Sequence, residues 1–291
     1  MTGFSDYSAQ NVLNYLAGAK AMPTLPSLYV AAFTAVGTDA GTGFTEVSGG
    51  SYARVQISGA VTTNGTTSTA SATLNFASVP SWVTVGMYVY DATTPGSVAA
   101  AATVISKTGT TVVMSANATG AGVGATDSIV FSAFSSSSGS APSQITNNAV
   151  ITFPQSTASW GTVIAFGVYD ASSSGNLLYW DYLGNYQWLP TEISSASPGI
   201  LTVKAHGYSA ADNVVFSTEY GGTAPSFSQS NLTGILAVVS PATDSFSVTN
   251  SGTAVNTSST GSGMVRKIIQ QSVPINVTMS FAASSLTMTS A

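Results

Sequence analysis

The sequence contains no cysteine, one histidine, six basic and eleven acidic residues in a length of 291. Each scarcity removes a class of chemistry. Without cysteine there is no thiol nucleophile, no thiolate metal site and no disulfide. His206 is the one available imidazole base, and its setting in a turn reads as structural rather than as part of a hydrolase triad. Six basic residues in a chain of net charge −5 give no footprint for nucleic acid. Charged residues make up 6% of the chain, against about 25% in ordinary soluble proteins. No window approaches the run of about 20 apolar residues that a membrane-spanning helix requires. The first twenty residues carry Asp6 and no basic segment, so they do not read as a signal peptide, and synthesis in a cytoplasm is expected.

What remains is apolar and hydroxylic. Hydrophobic residues are 44%, aromatics 10%, and the mean hydropathy is +0.30, enough to build a core. Solubility must then come from Ser, Thr, Asn and Gly. The stretch Val150–Leu183 holds the densest aromatic surface next to a hairpin signal. Trp160, Thr162, Ile164 and Phe166 alternate with Val163, Ala165, Gly167 and Tyr169, and both faces are largely apolar, which predicts a strand covered on both sides. Asp170 opens a turn in which its side chain bonds nearby backbone, and Gly175 supplies positive φ before the chain returns through Leu177–Trp180.

Residues 4–19 are the one good helix candidate, with Ser5 or Asp6 as cap and Gly18 as stop. It is expected either to lie on a sheet or to dock on a neighbouring subunit. Glu46 and Arg54 flank a Gly49-Gly50 turn and are expected to pair. Composition shifts near residues 64 and 190 divide the chain. Residues 1–63, 141–189 and 269–291 read as one core, and residues 64–140 and 190–268 as two small inserted β modules, with Pro- and Ser-rich links at 22–27 and 135–143. The expected fold is mainly β: an antiparallel sandwich or barrel-like core, one short N-terminal helix and two inserted modules.

No site for chemistry emerges. Asp170 and Asp181 bracket one hairpin, but Asp170 reads as a turn residue and Asp181 as a strand-end surface residue, so a glycosidase pair is set aside. No acidic cluster suits calcium, and no Gly-rich segment has the lysine of a phosphate loop. No metal, cofactor or catalytic residue is expected. The aromatic group Tyr179, Trp180, Tyr182, Tyr186 and Trp188 reads as core or interface, with a sugar-stacking platform as the alternative.

Four blocks carry a family resemblance: the N-terminal helix with LYVAAFTA, FTEVSGGSYARVQ at 44–56, ITFPQSTASWGTVIAFGVYDASSSGNLLYWDYL at 151–183, and VPINVTMSFAASSLTMT at 273–289. Together they resemble small virion structural proteins of tailed bacteriophages, of the tail-fibre, minor structural or capsid-decoration kind. The two inserts resemble small β modules of phage fibre proteins. The resemblance implies a non-enzymatic structural protein of the virion. The low charge and the lack of a coiled-coil stalk favour a decoration or cement protein bound to the major capsid lattice. The alternative is a tail-fibre or receptor-binding protein that recognises the host surface. Partners are other virion proteins and further copies of the chain, a trimer being the expected oligomer, without nucleic acid or membrane. Trp160, Gly167, Asp170 and Gly175 are the expected turn and core residues, and Tyr7, Leu13 and Tyr15 the candidate assembly contacts.

Overall fold

A computed structural model describes residues 3–21, 27–137, 143–184 and 186–289. The expected links at 22–27 and 135–143 fall largely outside the described residues. Strands take 41% of the chain and helix 4%, so sheets supply both shape and core. The chain divides into two compact units, residues 2–181 with 272–291 and residues 182–271.

The larger unit is organised by an eight-stranded antiparallel sheet that curls into a half-barrel. From one edge the strands run Gly3–Phe4, Leu177–Tyr182, Ala165–Tyr169, Leu28–Ala35, Val55–Thr62, Ser128–Ser132 and Tyr88–Asp91, with Thr45–Glu46 paired to Leu28–Ala35. The middle pair sets Phe166 opposite Ala32 and Gly167 opposite Ala31. Every residue of Ala165–Tyr169 is buried, so the strand is apolar on both faces rather than alternating. A Cβ on Gly167 would lie 2.5 Å from the ring of Phe33, which is fully buried. The glycine makes room for that ring, and a larger residue would force the ring out of its site.

Residues 64–140 contribute the strands Tyr88–Asp91 and Ser128–Ser132 to this sheet and hold a three-stranded sheet of their own, ordered Thr73–Asn75, Thr111–Met114 and Val104–Lys107. The last segment returns to the unit as Thr278–Phe281 on Ile151–Gln155 and Thr287–Thr289 on Gln144–Thr146. Asp181 departs from the expected surface position: it is 8% exposed within Leu177–Tyr182, because the strand continues past the point where its apolar run ends.

Carboxylates in both units, Asp91 buried and Asp212 partly so, are held by hydrogen bonds. Asp91 accepts from the Thr93 and Thr94 amides at 2.8 and 2.9 Å and from the Ser97 hydroxyl at 2.6 Å. Burial pushes its pKa up, yet these bonds hold it below the usual value. Asp212 is likewise pushed up by burial and held low by Lys267, 2.8 Å away, and by the Ser209 amide. A carboxyl depressed by folding stabilises the native state above its unfolded pKa and loses that contribution as pH falls through its folded value. The melting temperature is therefore expected to be flat above about pH 5 and to drop below about pH 4. The drop should be shallower in Asp212→Asn. Melting curves that do not change between those values in the parent chain would contradict this.

The smaller unit is a closed six-stranded barrel. Leu189–Ile193, Gly261–Ile268, Asn213–Ser217, Leu236–Val239 and Ser245–Asn250 pair in that order, and the two-residue strand Leu201–Thr202 closes the ring by pairing with Ile193 and Glu192 on one side and with Phe246 and Ser245 on the other. Closure leaves no open edge in the ring. Inward residues such as Ile193, Leu201, Val214, Leu236, Phe246 and Val265 fill the interior, each 2% exposed or less. Burial of such side chains stabilises by about 1.5–3 kcal/mol apiece. His206 sits at one rim, 8% exposed, with Nδ1 accepting from the Tyr208 amide at 2.8 Å and its ring against Phe246. Its part is to hold a turn.

Candidate interaction surfaces

The EVSGGSYAR segment forms a clamp on the central hairpin. Arg54 donates from Nε and Nη2 to the two carboxylate oxygens of Glu46 at 2.9 and 2.7 Å. Its Nη1 donates to the Ala171 and Ser174 carbonyls of the hairpin turn at 3.0 and 2.7 Å, and the guanidinium lies 3.5 Å from the centre of the Tyr169 ring. Burial works against the charge on Arg54, but the Glu46 bonds and field raise its pKa. The Tyr52 hydroxyl donates to Glu46 Oε1 and accepts from the Ala32 amide, both at 2.9 Å. Burial pushes that phenol far above its ordinary pKa. The Gly49-Gly50 turn is what brings Glu46 and Arg54 together, while the reach of Arg54 to the hairpin is a contact that no local pattern announces.

The turn itself follows its chemistry. Asp170 accepts from the Asn176 amide at 2.7 Å and from its Nδ2 at 2.8 Å, and Gly175 has φ +76°. Trp160 is 5% exposed, donates Nε1 to the Gly50 carbonyl at 3.0 Å, and meets Tyr52 edge-on at 5.3 Å. Gly167 lies in the same hairpin, opposite Ala31, and Gly175 lines a small cavity together with Ser5, Tyr7 and Asp39.

The helix presents a different surface. Ser5 caps Asp6–Leu16 by accepting from the Ser8 amide, and its hydroxyl donates to the Leu177 carbonyl. Gly3–Phe4 pairs with Trp180 and Tyr179, so the root of the helix is stitched to the sheet edge. Beyond the root, no helix residue is buried. Tyr7, Leu13, Tyr15 and Leu16 are 40, 65, 53 and 73% exposed, and Phe4 is 50% exposed. Five of the fourteen exposed large hydrophobic residues of the described chain thus lie in 3–16, which makes this segment a candidate interaction surface. Ser8, Ala9, Asn11, Val12 and Asn14 are half-buried, so the helix has one partly covered side and one open side.

A second surface lies on the outer wall of the barrel, a groove of about 530 Å³. Glu192 is the register partner of both Thr202 and Ser262, so the three side chains form one row across three strands. Lys204 and Pro190 extend the floor, and Tyr220-Gly221 form a wall. The wall can approach because Gly222 has no side chain: a Cβ there would lie 2.5 Å from the Ser262 carbonyl oxygen. Tyr220 is 39% exposed and continues an aromatic series, 5.7 Å from Trp188, which is 6.5 Å from Tyr182. Of the aromatic group named from the sequence, Tyr179 and Trp180 are instead core, each 3% exposed. Tyr220 and Glu192 carried no sequence signal, since a turn tyrosine and a single acid in a strand have no motif.

A family model described as podophage GP4 fiber I protein gp80 matches residues 3–119 and 108–203, well over half of the chain. The matched region includes the helix, the Glu46–Arg54 clamp, the central hairpin and the first barrel strands. No curated protein matches the chain. Among the described residues no helix is long and apolar enough to cross a membrane. The chain belongs to the family of the podophage GP4 fiber I protein gp80 and is a structural protein of the phage virion.

Proposed function

We propose that the protein is a fibre component that attaches to the virion through its helix and meets the host cell surface, rather than cement on the capsid lattice. The observation that carries this reading is the family match to a podophage fibre protein across the helix, clamp and hairpin. The features that favoured decoration, low charge and no coiled-coil stalk, describe a surface and not a location. The helix has one charged residue, Asp6, so its exposed side suits an uncharged apolar groove on another virion protein. Binding of this kind needs no catalytic residue, metal or cofactor. The scarce surface charge and the short sheet edge at Gly3–Phe4 favour a homo-oligomer, with a trimer as the expected symmetric assembly.

The modular division belongs to the same proposal, with 1–63, 141–189 and 269–291 as core and 64–140 and 190–268 as grafted modules. The chain leaves the strand Val55–Thr62 and comes back beside it as Ser128–Ser132, with Thr62 and Ser128 as register partners; the excursion between them adds Tyr88–Asp91 to the far side of the returning strand. The chain enters the barrel at Leu189, beside Val265 of the departing strand. An excursion whose ends are neighbours disturbs its host least. Gold-labelled protein in intact virions tests the location. Label at the tail is the expected result, and label spread over the capsid faces would return the decoration reading.

A further inference from the structure

We infer that the groove on the barrel wall is a saccharide site, taking a neutral or amino-sugar oligosaccharide; this rests on the reading of the protein as a host-recognising fibre. The argument starts from charge, which this chain uses sparingly. Apart from Asp6 in the first turn of the helix and Glu192, every described carboxylate is engaged. Asp39 takes the Trp180 indole, Glu46 takes Arg54, Asp91 and Asp127 hold turns, Asp170 takes Asn176, Asp212 takes Lys267, Asp244 takes the Ala205 amide, and Asp181 and Glu219 have partners too. Glu192 has no side-chain hydrogen bond or ion pair among the described residues. Lys204 is equally free, as is Lys20 past the end of the helix, whereas Arg54, Lys107 and Lys267 are all bonded. Glu192 and Lys204 line the same groove.

The other groups around them narrow the ligand. A carboxylate only accepts hydrogen bonds and an ammonium only donates them. The hydroxyls of Thr202 and Ser262, which do both, flank Glu192 on its two neighbouring strands. A pyranose offers a rim of vicinal hydroxyls that serve all four groups and an apolar C–H face that suits the exposed Tyr220 ring. Glu192 opposes a polyanion, and the hydroxyl row gives nothing to a purely apolar ligand. The volume lies within the usual range of about 300–1,000 Å³ for small-molecule sites. The close seat of Gly222 on Ser262 fixes the wall that carries Tyr220, so the site is formed before a ligand arrives.

The test uses the full chain and oligosaccharides released from the surface polysaccharide of the bacterium that the phage infects. Binding by the parent protein is expected, with at least a tenfold loss in Glu192→Gln and in Tyr220→Ala at unchanged melting temperature. Thr202→Trp, at an exposed position, should abolish binding by filling the groove; it carries the test if Tyr220→Ala misfolds. No binding by the parent, or parental binding by Glu192→Gln and Thr202→Trp, overturns the site. Adsorption of virions separates the two claims. Virions that need this protein to adsorb while it binds no saccharide leave the fibre reading standing and remove the site. Virions that adsorb normally with Glu192→Gln, when that variant has lost saccharide binding, keep the site and remove host recognition from its role.

Discussion

Arg54→Met is expected to lower the stability of the larger unit by about 3–5 kcal/mol, the range for removing one partner of a buried ion pair. The side chain of Arg54 is 7% exposed and that of Glu46 26%, so the deserted carboxylate remains largely shielded from water. The loss does not stop there. The Ala171 and Ser174 carbonyls lose their donor, and Tyr169 loses the cation over its ring. Arg54→Lys should recover little, because an ammonium cannot span a carboxylate and two carbonyls with a planar fork. The paired change Glu46→Gln with Arg54→Met should be less damaging than the sum of the two single changes, since it leaves no lone charge. Denaturant unfolding followed by tryptophan fluorescence gives these differences, and a shift below about 1 kcal/mol for Arg54→Met would demote the clamp to a surface contact.

Virions are expected to lose the protein when its helix is made polar. Leu13→Glu with Leu16→Glu places two charges where the side chains are 65 and 73% exposed. Because no helix residue is buried, the isolated protein should melt as the parent does. In the virion the same charges would have to enter an apolar contact unpaired, which is costly, so incorporation should fall more than tenfold, as it should on deletion of residues 1–19. Quantifying the protein in purified particles decides the matter: full incorporation of both variants removes the docking role from the helix. Full incorporation of the charged double variant alone would move the contact to Tyr7 and Tyr15.

Local chemistry explains what was legible in the sequence. Asp170 and Gly175 announce their turn because an acceptor side chain and a residue free to take positive φ act within a few positions. Glu46 and Arg54 meet because a Gly-Gly turn separates them. The helix is readable from Ser5, its apolar spacing and Gly18, but the exposure of Leu13, Tyr15 and Leu16 is not, since spacing shows an apolar face without naming what covers it. Closure of the barrel depends on Leu201–Thr202, a strand too short to carry any periodicity. The groove was invisible for a related reason. Glu192, Thr202, Tyr220 and Ser262 come from separate segments, and only strand register and one glycine contact bring them together.

The way the chain enters and leaves the barrel has a mechanical consequence. Leu189–Ile193 and Gly261–Ile268 are antiparallel neighbours, so both tethers emerge side by side. They are fastened to each other where they emerge: the Ile269 amide donates to the Leu183 carbonyl at 2.9 Å, and Arg266 Nη2 donates to the Gly184 carbonyl at 3.0 Å. Tension that spreads the tethers would peel these bonds singly, the weak direction for a strand pair. Tension that draws both tethers the same way is shared between them and enters the ring along two adjacent, paired strands. A pull applied to the barrel in line with its tethers would therefore load two adjacent backbone segments and their fastening together.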